Sequence, residues 1–108
     1  MNGYQLTFFT QQNRRHDGQS LHEWLMRLAR SLGIAGSTAV PGSEGYGRSG
    51  RLHSTHFFEL AEQPMEVTMA ATAEQAAALF ARLAQEDVRV FYVKTPVEFG
   101  TTGSADTV

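Results

Sequence analysis

The sequence predicts a ferredoxin-like α+β sandwich, βαββαβ, in which an antiparallel four-stranded sheet carries two helices on one face. Three observations lead there. Two segments show helical apolar periodicity behind capping signals, and the segments around them show strand-like alternation or continuous apolar runs. The order along the chain is strand, helix, strand, strand, helix, strand. That is the split βαβ arrangement.

Taken in order, Tyr4–Thr10 alternates, with Tyr4, Leu6 and Phe8 on one face. Thr10–Gln19 is polar and reads as a loop. Ser20-Leu21-His22-Glu23 fits a capping box, in which hydroxyl and carboxylate each satisfy a free N–H of the first turn. Leu21, Trp24, Leu25, Leu28 and Leu32 then form one stripe, and Gly33 supplies a left-handed stop. Ala35–Val40 reads as a short strand ended by Pro41-Gly42. After a glycine-rich stretch, Phe57–Leu60 is extended, Pro64 marks an edge, and Met65, Val67 and Met69 alternate. Thr72-Ala73-Glu74-Gln75 is a second capping box, followed by the stripe Ala76, Leu79, Phe80 and Leu83. Val88–Val93 is apolar at nearly every position and reads as a strand, and Thr95–Phe99 as a short fifth one.

Residues 1–99 therefore form a single domain with a long loop at 42–56, and 100–108 is a C-terminal tail with nothing to bury. A chain of 108 residues with 42% hydrophobic content suffices for one modest core. The net charge of −2 gives no electrostatic footprint for DNA or RNA. Without cysteine there is no disulfide framework and no thiolate metal site, which is compatible with a reducing cytoplasm. No apolar run approaches the ~20 residues of a membrane span, and the N-terminus lacks a signal-peptide pattern. The expectation is a soluble, cytoplasmic protein that does not insert directly into a membrane.

In this topology three connections meet at one end of the sheet: the Thr10–Gln19 loop, the glycine-rich loop and the Gln85–Val88 turn. Arg14, Arg15, His16, Arg48, Arg51 and Arg89 lie on or beside them. Cations and glycine N–H groups that are distant in sequence can converge there on an anionic ligand. The bland alternative is that these cations are solvated. Val90 and Tyr92 face one way, Phe91 and Val93 the other. A strand apolar on both faces implies that the face away from the helices is covered too, by another subunit.

Gly33-Ile34-Ala35-Gly36-Ser37-Thr38, then Gly42-Ser43-Glu44-Gly45-Tyr46-Gly47 and Arg51-Leu52-His53, resemble the PII-like family catalogued as domain of unknown function 190. So do Arg15-His16-Asp17-Gly18-Gln19-Ser20-Leu21 and, one residue shorter than the family's segment, Leu60-Ala61-Glu62-Gln63-Pro64. The resemblance covers roughly residues 4 to 99. It implies a ferredoxin-like homotrimer with sheets facing the threefold axis. The loop at 42–56 would be the T-loop, which in PII proteins responds to nucleotides and docks onto transporters, channels or enzymes. The expected effector-binding set is Arg14, Arg15, His16, Gly36, Thr38, Gly42, Gly45, Gly47 and Arg89, with Gly36 and Thr38 in the stretch that carries the resemblance. The expected partner-contact set is Glu44, Tyr46, Arg48, Arg51 and His53, and the partner a regulated protein, with a membrane transporter or channel among the candidates.

The chain departs from PII proteins in one respect. Those that bind ATP usually hold the phosphates on a glycine- and lysine-bearing turn before the last strand. Here that turn is Gln85-Glu86-Asp87-Val88, whose carboxylates would repel a triphosphate. An adenine nucleotide with one phosphate, or a cyclic phosphate, is the expected effector. Gly42, Gly45 and Gly47 do not open a helix and match neither phosphate-loop fingerprint. His53 and His56 sit on an extended chain, where i and i+3 point to opposite faces, so no metal site is assigned. His22 reads as a surface residue, and Trp24, Phe80, Met65 and Met69 as core. Glu23, Glu59, Glu62, Glu66, Glu86 and Asp87 read as solvent-facing, no Ser/His/Asp order stands out, and no catalytic residue is assigned. Tyr46, flanked by glycines, has little core to join and reads as a contact residue. The sequence reading is a non-enzymatic regulator that binds an anionic effector at subunit clefts. Its rivals are a metal-ion-responsive binding protein of similar fold and a small enzyme acting at the same clefts.

Overall fold

The computed structural model describes residues 1–46, 52–54 and 63–103; of 44, 45 and 52–54 only the backbone is described. The strand expected at Phe57–Leu60, Glu59, Glu62, His56, Gly47, Arg48, Arg51 and the end of the tail lie outside the described residues. In chain order the elements are β1 (Asn2–Gln11), β2 (Arg15–His16), β3 (Gln19–Ser20), α1 (Leu21–Ser31), β4 (Ser37–Pro41), β5 (Glu44–Tyr46), β6 (Leu52–Ser54), β7 (Pro64–Thr72), α2 (Ala73–Gln85) and β8 (Phe91–Glu98). The main sheet has four strands in the order β4-β7-β1-β8. Every neighbouring pair in it is antiparallel. That is the ferredoxin-like order expected of βαββαβ.

Period-2 alternation sorts the two faces. Leu6 and Phe8 of β1 and Met65, Val67, Met69 and Ala71 of β7 are buried under the helices. α1 brings Leu21, Trp24, Leu25 and Leu28 to them, and α2 brings Ala76, Leu79 and Leu83. Phe80 packs against this core from its margin, 6.0 Å from the Phe8 ring centroid.

The caps show how α1 and α2 are fixed. At α2 the capping box is complete: Gln75 N donates to Thr72 Oγ1 at 3.1 Å, and Thr72 N donates to Gln75 Oε1 at 2.9 Å. The Gln75 amide also donates to the Gly33 carbonyl at 2.9 Å, tying the end of α1 to the start of α2. At α1 the box is only half made. Glu23 N reaches Ser20 Oγ, but that hydroxyl donates to Glu23 Oε1 at 2.6 Å, so the carboxylate is drawn to the side chain and not to the backbone N–H of Ser20. Both helices end in Schellman turns. Ile34 N donates to Ala29 O at 3.1 Å with Gly33 at φ +81°, and Val88 N to Leu83 O at 2.9 Å with Asp87 at φ +53°. An alanine at Gly33 would hold a Cβ in the left-handed region. Gly33→Ala is expected to cost about 1–2 kcal/mol, read as a lower urea midpoint at unchanged m-value.

Several expectations are corrected. Thr95–Phe99 is no fifth strand: β8 runs unbroken from Phe91 to Glu98, with Pro96 opposite Tyr4. Proline is tolerated because β8 is an edge strand, whose outer N–H groups have no ladder partner among the described residues. Val88 and Val90 precede β8 and pack against the core margin instead. The Thr10–Gln19 loop contains the β2–β3 hairpin, in which Arg15 pairs with Ser20 and His16 with Gln19. The glycine-rich loop is regular at its stem, where Glu44 pairs with Ser54 and Tyr46 with Leu52. His22 is no surface residue: it is 8% exposed, with Nε2 3.5 Å from Ser20 Oγ. Its place in the first turn faces the core beside Leu21 and Leu25.

Candidate functional site

The sheet register fixes what meets at the loop end. Gln11 lies opposite Pro64, Pro41 opposite Met65, and Phe9 opposite Phe91. The exits of β1 and β4 and the entries of β7 and β8 therefore share one edge of the sandwich. Gln12 N donates to Gln63 O at 2.9 Å and Gly42 N to Pro64 O at 2.8 Å, closing that edge.

The β2–β3 hairpin folds back over it. The Arg14 guanidinium donates to the Arg89 carbonyl. Burial lowers the pKa of that guanidinium from its ordinary value, without threatening its charge. Arg15 donates to the Gly18 carbonyl at 2.7 Å, inside its own hairpin. His16 Nε2 lies 2.8 Å from Glu86 Oε1, and its ring meets Trp24 edge-on at 4.5 Å. The other oxygen of Glu86 accepts from Arg82, one turn earlier on α2. The bonds from His16 and Arg82 hold the Glu86 carboxyl below its ordinary pKa. Ionised Glu86 is thus clasped between two basic side chains.

Of the predicted effector set, Arg14, Arg15, His16 and Arg89 come together at this end, with Gly42 and the start of the loop beside them. Arginine carries five N–H donors, so one carbonyl bond orients Arg14 or Arg15 and leaves further donors for an anion. Gly36 and Thr38 lie elsewhere. Gly36 precedes β4, roughly 20 Å of extended chain from Gly42 at ~3.3 Å per residue. Thr38, opposite Thr68, faces away from the helices. Within one copy neither joins the cations. Gly45 lies in β5, opposite His53, both described by backbone alone. Gly47, Arg48 and Arg51 lie outside the described residues. Of the partner-contact set, Glu44 is described by its backbone, while Tyr46 is 76% exposed at the end of β5.

The sequence reading missed two features. One is the pairing of Glu86, whose i,i+4 spacing to Arg82 was a visible signal. The other is a groove of about 400 Å³ along α1, lined by Met26, Arg27, Arg30, Ile34, Gly36 and Ser37. Arg27 and Arg30 share a helix face by their i,i+3 spacing. Among the described residues, no group of three or more His, Asp and Glu side chains could hold a metal ion. Among them too, no helix is long and apolar enough to cross a membrane.

This fold, with its long loop between the second and third sheet strands, is the PII-like form of the ferredoxin-like sandwich. The sequence profile of the family described as DUF190, Uncharacterized ACR, matches residues 3–98, and the chain belongs to that family. Among solved structures, it is similar to a Thermus thermophilus protein provisionally named as PII-like and signaling. The identity is 18% over 89% of this chain and 87% of the other, with a TM-score of 0.65. It is also similar to CPII of Thiomonas intermedia K12, a nitrogen regulatory PII-like protein bound to ADP, AMP and bicarbonate. There the identity is 18% over 90% of this chain and 89% of the other, with a TM-score of 0.62. A CPII complex with ADP and bicarbonate gives 17% identity, 90% and 89% coverage, and a TM-score of 0.60.

Proposed function

We propose that this chain is a PII-like regulator that binds an adenine nucleotide at the loop end of its sheet and signals through the 42–56 loop. The observation that carries the reading is the gathering of Arg14, Arg15 and Arg89 beside the stem of that loop, with His16 next to them and paired to Glu86. A ligand there would contact the loop stem as it bound. The likeness to CPII, which holds ADP, AMP and bicarbonate, supports a nucleotide as the ligand class. The acidic Glu86-Asp87 turn supports one phosphate over three, and hence AMP or cyclic AMP over ATP. The exposed face of the sheet, with Phe91 and Val93 on it, supports a homotrimer that buries this face and forms the ligand clefts between subunits. The exposed Tyr46 supports a protein partner at the loop, such as a transporter or channel. The role is binding and not catalysis: Glu23 and Glu86 are both engaged internally, which suits structure better than proton transfer. The absence of cysteine suits a cytoplasmic setting.

Isothermal titration of AMP, cyclic AMP, ADP and ATP tests the reading. Charge-assisted bonds are worth ~1.5–3 kcal/mol each, so Arg14→Ala/Arg15→Ala should weaken nucleotide binding by roughly tenfold to a hundredfold. Arg27→Ala/Arg30→Ala, in the groove along α1, should bind like the wild type. No binding below millimolar by the wild type, or equal binding by the Arg14/Arg15 variant, overturns the assignment.

A further inference from the structure

We infer that Glu86 is an internal anion occupying the place of an additional phosphate, and that it thereby sets how long a phosphate chain the loop-end site accepts. The inference rests on the anion-binding reading above and adds a specificity determinant to it.

The geometry is that of a ligand already seated. One carboxylate oxygen of Glu86 meets His16 Nε2 at 2.8 Å and the other accepts from Arg82 Nε. The Glu86 side chain is 27% exposed, between a His16 side chain that is largely covered and an Arg82 side chain that is half exposed. His16 is two residues from Arg14 in the chain, and Glu86 is three residues from Arg89, whose carbonyl Arg14 holds. The clasp is therefore continuous with the cations proposed to bind the effector. Glu86 also caps the C-terminus of α2, where the helix dipole and the last free carbonyls already disfavour an added anion. A single phosphate at Arg14, Arg15 and Arg89 leaves the clasp intact. A second or third would reach toward His16 and Arg82 and meet a carboxylate already holding both. Glu86 does more than repel at a distance. It takes up the two basic groups that a longer chain would need. Removing its charge leaves His16 and Arg82 available and takes away the competing anion.

The test titrates the full chain as wild type, Glu86→Gln and Glu86→Gln/Arg82→Ala with AMP, ATP and inorganic tripolyphosphate. The amide keeps the size of the carboxylate, and far-UV melting checks that the fold survives; should Glu86→Gln fail to fold, Glu86→Ala replaces it. Expected is a gain of roughly tenfold or more for ATP and tripolyphosphate in Glu86→Gln, the effect of one or two charge-assisted bonds, with AMP changed less than about twofold. Arg82→Ala in that background should remove the gain. Unchanged tripolyphosphate affinity overturns the inference, as does an equal gain for AMP and ATP or a gain that persists without Arg82. If the wild type binds no nucleotide, the proposed function fails by itself. The tripolyphosphate comparison between variants still decides the role of Glu86.

Discussion

Phe8→Ala should cost about 3–5 kcal/mol, the range for truncating a buried aromatic ring. Phe8 is fully buried in the middle of β1, between its two sheet neighbours Val67 and Tyr92. Its ring lies 6.0 Å from Phe80 and 6.5 Å from Tyr92, while Phe80 and Tyr92 are 4.7 Å apart. The three rings form one cluster that fixes α2 over the β1–β8 half of the sheet. Alanine would leave a void lined by rings that cannot collapse inward without dragging α2 or the edge strand. A domain of this size has ~5–15 kcal/mol to lose, so the effect takes a large share of it. Urea unfolding should show a much lower midpoint at unchanged slope, and the melting temperature should fall by roughly 10–20 °C. A loss below about 1 kcal/mol would mean that this cluster does not hold the fold.

Most of the architecture was legible because the core face of each element repeats at the period of that element. Leu6 and Phe8 alternate, Leu21, Trp24, Leu25 and Leu28 recur at helical spacing, and both sets lie in the core. Boundaries failed where that signal degenerates. From Val88 to Val93 nearly every residue is apolar, so periodicity could not say where β8 begins, and Pro96 looks like an interruption. Only the pairing of β8 with β1 alone shows an edge strand that tolerates it. Gly3 gives no signal, although a Cβ there would overlap the Ala71 carbonyl oxygen; a close backbone approach leaves no mark in a single sequence. The convergence of the connections at one end of the sheet was legible in kind but not in wiring. Topology alone placed Arg14–His16, Arg89 and the acidic turn at one end. That His16 would grip Glu86, 70 residues away, depends on how the β2–β3 hairpin folds back, and no local pattern encodes it. Gly36 and Thr38 join the expected site on resemblance, whereas Gly36 precedes β4 and the register turns Thr38 away from the helices.

Phe91→Lys should turn the proposed trimer into a monomer while leaving the monomer folded. Phe91 and Phe9 pair across β8 and β1 with ring centroids 5.7 Å apart, on the face of the sheet that carries no helix. Phe91 is 66% exposed and Val93 46%, and Val40 of β4 is exposed on the same face. Exposed aromatic and branched side chains gathered on the sheet face opposite the helices mark an interaction surface. In the proposed trimer that surface is buried at every subunit contact, so a lysine at position 91 would bring its ammonium into each interface without a partner. Burying an unpaired charge costs far more than the contact supplies, and symmetry repeats the cost in every copy. In the isolated chain the same lysine stays in water, and surface substitutions of this kind usually change stability by no more than about 0.5 kcal/mol. Tyr92→Lys is the internal control. Tyr92 lies on the helix side against Phe8 and Phe80, so its replacement should lower stability more than Phe91→Lys does. Light scattering after size exclusion should give about three times the 11.9 kDa chain mass for the wild type and the chain mass for Phe91→Lys. A wild type that runs as a monomer across working concentrations rules out the trimer. A Phe91→Lys protein that remains trimeric moves the interface to another surface.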